Sequence, residues 1–110
     1  MFIENRSKFE DIKAESYKVW KRLEDAKTLE RISALEEKTL APDFWDDKEH
    51  AEATFRDLSI LKDGYFPWKK LIGEIDELEE LMDMYGSEED EDIRLEIQGQ
   101  IDALGEKFHP

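Results

Sequence analysis

The sequence predicts an all-α protein, an elongated antiparallel bundle of three to four helices with coiled-coil-like packing. Apolar residues recur at steps of three and four along most of the chain, as they do on one face of a helix. An aromatic-rich break around Pro42 separates two such stretches, as expected of a connection between helices. No run of alternating β-branched residues bounded by turns competes with this pattern.

The composition favours a folded domain without catalytic thiols. A length of 110 residues suits a single helical domain over residues 1–110. The net charge of −14 would favour disorder, but 39% apolar residues at helical spacing favour a packed core. The chain has no cysteine, which excludes disulfides and thiolate metal ligands. It also lacks a signal-peptide pattern and a long apolar run, so we expect a cytoplasmic protein that makes no membrane contact.

The first 40 residues predict one kinked helix or two helices. Ser7 and Glu10 form a possible capping box at the start. One helical face then carries Phe9, Ile12, Ser16, Val19, Leu23 and Ala26. The apolar stripe continues in steps of three through Leu29, Ile32 and Leu35. Steps of three rotate a stripe backwards around a helix, so a bend or break is expected between Leu23 and Ala26.

The segment Pro42–Asp47 predicts a structural turn formed by Pro42, Phe44 and Trp45. A residue before proline is pushed out of the α region, which ends the preceding helix. Asp46 with Glu49 is a possible capping box for the next helix. We expect Phe44 and Trp45 to pack into the seam between the first and later helices, because aromatic rings beside helix stripes usually belong to a core.

Two further helical stretches follow, separated by a possible interruption at residues 63–67. The first has its apolar face at Ala51, Phe55, Leu58 and Leu61 or Lys62. Gly64 and Pro67 either break this helix or only kink it. Beyond them a coiled-coil-type seam, residues 68–85, is formed by Trp68, Leu71, Ile72, Ile75, Leu78, Met82 and Tyr85.

Gly86 is expected to end this helix, and Ser87 with Asp90 to cap a last one. The apolar face of the last helix carries Ile93, Ile97, Ile101, Leu104 and Phe108.

No catalytic or metal-binding constellation is apparent, so we expect no enzyme, no metal and no cofactor. Neither His50 nor His109 stands in a recognisable metal-ligand motif such as HExxH, and His50 has no Glu three or four residues before it. The acidic run at residues 88–92 lacks the spaced ligands and the glycine of a calcium loop, and is interpreted as a helix N-terminus.

A basic cluster on the first helix is the candidate binding site. Residues 1–40 carry nine Lys and Arg and nine Asp and Glu, so the whole excess of −14 lies in residues 41–110. Lys18, Lys21 and Arg22 share one helix face, and Lys27 and Arg31 extend it. The alternative is an ordinary charged face paired with Glu15, Glu24 and Asp25. Any contact with phosphate groups should use this first part of the chain.

Several segments together resemble the N-terminal helical domain of bacterial peptide chain release factor two, a class I release factor. They are Leu29-Glu30-Arg31-Ile32, Leu35-Glu36-Glu37 and, most specifically, Pro42-Asp43-Phe44-Trp45-Asp46-Asp47. The resemblance implies a cytoplasmic translation-termination protein. Its helical domain would reach the stalk base of the large ribosomal subunit, with protein and ribosomal RNA as partners beside the remaining domains of the factor.

The chemistry of that family lies outside this sequence. Its Gly-Gly-Gln loop and Ser-Pro-Phe motif do not occur here, so no catalytic residue can be carried over. The chain is then either a fragment of a full factor, which we favour, or a natural short protein that keeps one domain. The alternative function is an unrelated acidic helical adaptor that dimerises through the seam of residues 68–85.

Overall fold

The protein is all-α, as predicted. A computed structural model describes residues 2–85 and 91–108 of the chain, and in these ranges it contains four helices. They are α1 (Phe2–Asp25), α2 (Thr28–Thr39), α3 (Lys48–Tyr85) and α4 (Glu91–Phe108). A single 3₁₀ turn, Phe44–Asp46, lies between α2 and α3. The expected caps at residues 86–90 lie outside the described residues.

The first stretch forms two helices because the backbone breaks at Lys27. This residue has the left-handed conformation (φ 54°, ψ 42°), which an L-residue adopts only at single positions. The predicted break is therefore confirmed, whereas the predicted start at Ser7 is wrong. Helix α1 begins at Phe2, since no helix-breaking residue precedes Ser7. Ala26 and Leu29 were expected on the buried stripe but are exposed, because the chain changes direction at the break.

Helix α3 runs without interruption through Pro67, so the first of the two open alternatives, a broken helix, is wrong. Proline has no N–H, and the carbonyl of Asp63 therefore loses its helical donor. Asp63 and Pro67 are both exposed to solvent, so water can hydrate this carbonyl. The cost of proline inside the helix is thereby reduced.

The chain divides into two compact units. The terminal unit comprises Met1–Val19 and Lys70–Pro110, and the central unit comprises Trp20–Lys69. Helices α1 and α3 each contribute a segment to both units.

The terminal unit is a three-helix bundle with a closed apolar core. Ion pairs and hydrogen bonds join Arg6, Lys13 and Tyr17 of α1 to Asp83, Glu79 and Asp76 of α3, respectively. Residue numbers rise along α1 as they fall along α3, so these helices are antiparallel. The buried side chains include Phe9, Ile12, Leu71, Ile72, Ile75, Leu78, Met82, Ile97, Ile101 and Leu104.

Burial of this seam removes the surface proposed for dimerisation. Leu71, Ile75, Leu78 and Met82 are each buried within the single chain. An adaptor that dimerises through residues 68–85 would have to expose them, so this alternative is not supported.

The central unit has a smaller core, built where α2 packs on α3. Ile32, Leu58 and Tyr65 form its buried centre, and Trp20, Leu23, Leu35 and Leu61 pack around them. The ring centroids of Trp20 and Tyr65 lie 5.3 Å apart. Lys62 forms an ion pair with Glu36 at 2.9 Å, which joins the two helices at the surface.

Candidate interaction surfaces

The turn between α2 and α3 is fixed by backbone hydrogen bonds. The N–H groups of Phe44 and Asp46 donate to the carbonyls of Ala41 and Asp43, both at 3.1 Å. The N–H of His50 donates to the carboxylate of Asp47 at 3.1 Å, which caps the N-terminus of α3. The predicted cap at Asp46 is therefore wrong by one residue, because Asp46 belongs to the 3₁₀ turn.

Phe44 anchors this turn in the protein. It is buried, and its ring makes edge-to-face contacts with Trp45 and Phe55, with centroids 5.3 and 5.7 Å apart. His50, which is exposed, places its ring 6.2 Å from that of Phe44. Phe44 is buried, as expected, and its ring contacts lie in the turn and in α3, while its packing into the seam with the first helix stays a prediction.

The prediction that Trp45 is buried is wrong. Trp45 is 64% exposed, and Phe55, expected on the buried face of α3, is 43% exposed. Thr54 occupies the buried position instead, and its hydroxyl donates to the carbonyl of His50 at 2.9 Å. The rings of Trp45 and Phe55 lie against each other at 5.5 Å with a 30° tilt. We call these two side chains the aromatic patch.

Acidic residues dominate the sequence around the aromatic patch. Residues 40–57 carry two basic and six acidic side chains, a net charge of −4. Asp43, Asp46 and Asp47 lie in the turn itself and are exposed. The patch therefore combines an exposed apolar surface with negative charge.

The basic cluster predicted on the first helix is exposed on α1. Lys18 forms an ion pair with Glu15 of the same helix at 3.2 Å, as the alternative interpretation expected. Lys21 and Arg22 are exposed, and neither side chain forms an ion pair with any residue in the described ranges. Two cations of the three are thus available to an external anion.

The two units differ in charge. The central unit has nine Lys and Arg against twelve Asp and Glu, a net charge of −3. The terminal unit has seven against eighteen, a net charge of −11. An approaching polyanion is repelled less by the central unit, which holds Lys21 and Arg22.

The structure offers no metal site and no membrane span within the residues it describes. No group of three or more His, Asp or Glu side chains there is arranged to hold a metal ion. None of the described helices combines the length and the apolar character needed to cross a membrane. His109 lies outside the described residues.

Comparison with known proteins identifies related sequences. No family model and no solved structure matches the chain. Peptide chain release factor 2 of Streptomyces avermitilis is 37% identical over 73 residues, 66% of this chain and 20% of the relative. The proteins of the same name from Treponema pallidum and Kineococcus radiotolerans are each 30% identical, over 78 and 77 residues.

These matches cover 71% and 70% of the chain, and 21% of each relative. The chain thus spans about a fifth of the length of the curated relatives it matches. The resemblance inferred from the sequence is confirmed: over the matched segment, this chain is a relative of bacterial peptide chain release factor 2.

Proposed function

We propose that this chain is a non-catalytic, ribosome-docking domain that acts in translation termination in the cytoplasm. The observation that carries the proposal is its similarity to proteins named peptide chain release factor 2 over two thirds of its length. Its partners would be the large ribosomal subunit at the stalk base, both protein and ribosomal RNA, and the remaining domains of a release factor. Peptide release would be performed by those other domains.

The proposed contact with ribosomal RNA uses Lys21 and Arg22. Both are exposed on α1, and neither is engaged by a carboxylate in the described part of the chain. Phosphate groups attract such cations, and each contact releases counterions from the nucleic acid. Lys18 would contribute less, because Glu15 already neutralises it locally.

The role of the domain would be to position the factor. A docking domain needs a defined surface on a rigid scaffold rather than a reactive side chain. Helix α1, with 24 residues, carries Lys21 and Arg22 on a regular backbone. By binding the ribosome, the domain would guide the change of the whole factor from a compact to an open arrangement.

The proposal is tested by binding of the chain to purified large ribosomal subunits over a series of salt concentrations. We expect Lys21→Glu plus Arg22→Glu to weaken binding and to lower the slope of log K against log salt, by about one for each lost phosphate contact. The matched control is Lys69→Glu plus Lys70→Glu. It changes the net charge equally at two exposed lysines of α3.

The two variants separate a specific contact from general repulsion. If both weaken binding equally, only the net charge matters and the assignment of Lys21 and Arg22 is wrong. If the parent chain does not bind large subunits at any salt concentration, the docking function itself is wrong. Circular dichroism of each variant checks that it is folded.

A further inference from the structure

The aromatic patch is a second surface that phosphate binding does not use. A tryptophan exposed by 64% and stacked on a phenylalanine exposed by 43% leaves a large apolar area in water. Tryptophan and other aromatic side chains are the residues most enriched at the energetic centres of protein interfaces. The two exposed rings are therefore a candidate binding surface for a partner molecule.

The patch is held in place before any partner binds. Trp45 follows the buried Phe44, whose ring meets the rings of both patch residues edge to face. The 3₁₀ turn and the Asp47 cap fix the backbone on both sides of Trp45. Little conformational entropy remains to be lost on binding, which favours a surface built for recognition.

The charge around the patch selects the chemistry of the occupant. The net charge of −4 over residues 40–57 repels nucleic acid and anionic lipid surfaces. It also opposes association with a second copy, which carries the same −14 charge. A basic polypeptide is attracted instead, and an apolar side chain on it would cover the two rings.

We propose that the aromatic patch of Trp45 and Phe55, with the acidic turn beside it, binds a basic polypeptide segment that carries an apolar anchor residue. The rings would cover the anchor, while Asp43 and Asp46 would attract Lys or Arg side chains next to it. This inference needs neither a ribosome nor a phosphate contact, so it stands or falls separately from the proposed function.

The test uses a synthetic, tryptophan-free amphipathic peptide of Lys, Arg and Leu. Binding to the full chain is followed by NMR through the three tryptophan indole N–H signals, with the Trp45 signal assigned from Trp45→Ala. We expect the peptide to shift the Trp45 signal most. Trp45→Ala should raise the Kd about tenfold or more, as expected of an interface centre.

Matched variants are available in the same unit. Ile60 is as exposed as Trp45, at 64%, and Phe66, at 42%, matches Phe55. We expect Ile60→Ala and Phe66→Ala to leave the Kd within about twofold, because each lies outside the patch. Asp43→Asn plus Asp46→Asn should weaken binding and reduce its dependence on salt.

Several outcomes would overturn the inference. One is an equal loss of affinity in Trp45→Ala and Ile60→Ala, which would indicate unspecific apolar adhesion. Another is equal binding of a control peptide with Glu in place of Lys and Arg, or with Ser in place of Leu. A third is a shift of the Trp45 signal by a short RNA but not by the basic peptide, which would make the patch a base-stacking surface.

Discussion

The two units of this chain differ in how far their large apolar side chains are buried. The largest fully buried side chains of the described residues are Phe9, Ile32, Ile75, Leu78, Met82, Ile97, Ile101 and Ser16. All except Ile32 belong to the terminal unit. Among the residues whose burial the structure describes, the large exposed apolar side chains are Leu29, Leu40, Trp45, Phe55, Ile60, Phe66, Met84 and Leu95, and the last two of these lie in the terminal unit.

Both units contain three helical segments, but the α1 segment of the central unit is short, residues 20–25. Segments of α1, α3 and α4 enclose a core in the terminal unit, whereas α2 and α3, with the end of α1, leave outward faces in the central unit. Burial of apolar side chains is the main stabilising term in a small domain. The terminal unit therefore contributes stability, and the central unit presents surface.

The cations follow this division only in part, because Lys62 of the central unit also pairs with Glu36 across two helices. In the terminal unit, Lys8 pairs with Asp102 at 2.7 Å and Lys107 with Glu74 at 2.6 Å, each across two helices. In the central unit, Lys21 and Arg22 have no such partners in the described ranges. Cations of the first kind join helices, and cations of the second kind remain available for binding.

Truncation of the turn's aromatic side chains should have the largest and most unequal effects. Phe44→Ala should lower the free energy of unfolding by about 3–5 kcal/mol, because it leaves a cavity in place of a buried ring. Trp45→Ala should cost about 1 kcal/mol or less, since Trp45 is largely exposed and loses mainly ring contacts. Urea unfolding followed by circular dichroism measures both. Equal losses would mean that Trp45 supports the fold as Phe44 does.

Truncation in the core of the terminal unit tests its assigned role. Ile101→Ala should cost about 2–5 kcal/mol, since this side chain of α4 is fully buried. Leu95→Ala, on the same helix but exposed, should change stability by about 0.5 kcal/mol or less. Thermal melting gives the comparison directly. A similar drop for the two variants would contradict a closed core beneath α4.

Ser16 is a buried position of the terminal unit where a substitution should increase stability. Its side chain is fully buried, and its hydroxyl has no hydrogen-bond partner in the structure. Ser16→Ala removes a buried polar group without a partner and improves helix propensity, so we expect a gain of about 1–2 kcal/mol. A lower melting temperature for this variant would show that the hydroxyl is satisfied in solution.

The ion pair between Lys13 and Glu79 should have the smallest effect. The hydrogen bond to Glu79 raises the pKa of Lys13 above its ordinary value of 10.5. The folded-state pKa is then the higher one, so the stabilisation is complete below pH 10.5 and is lost as the pH rises through the raised pKa. We expect Glu79→Gln to cost about 0.5 kcal/mol at neutral pH.

The pH dependence of this cost is the check on the ion pair. Unfolding free energies of parent and Glu79→Gln, measured from pH 7 upward, should converge only above pH 10.5. Convergence well below that pH would mean that Lys13 is not held by Glu79.

The sequence pattern was sufficient for the helices and the main core but not for the exposed rings. Ile97, Ile101 and Leu104 follow one helical spacing, so their common burial could be predicted. Thr54 and Phe55 fit the spacing of α3 almost equally well, and hydrophobicity favours Phe55. Which of these two side chains is buried depends on the orientation of α3 after the turn. That orientation is set by the Asp47 cap rather than by hydropathy.

The predicted burial of Trp45 was wrong for a related reason. An aromatic residue next to a helix stripe is usually buried, yet one turn cannot aim two adjacent rings into the same core. Phe44 takes the buried position, and Trp45 is directed outward. The sequence also leaves the continuity of α3 at Pro67 open, because proline can either interrupt a helix or be accommodated inside it.

The most direct test of this division is hydroxyl-radical footprinting of the chain, free and bound to large ribosomal subunits. Trp20 and Leu23, which flank Lys21 and Arg22 in α1, report on the central unit, and Met84 and Leu95 report on the terminal unit, each referred to its own reactivity in the free chain. The account predicts protection of Trp20 and Leu23, with Met84 and Leu95 unchanged. Protection of Met84 and Leu95, with Trp20 and Leu23 as reactive as in the free chain, would contradict it.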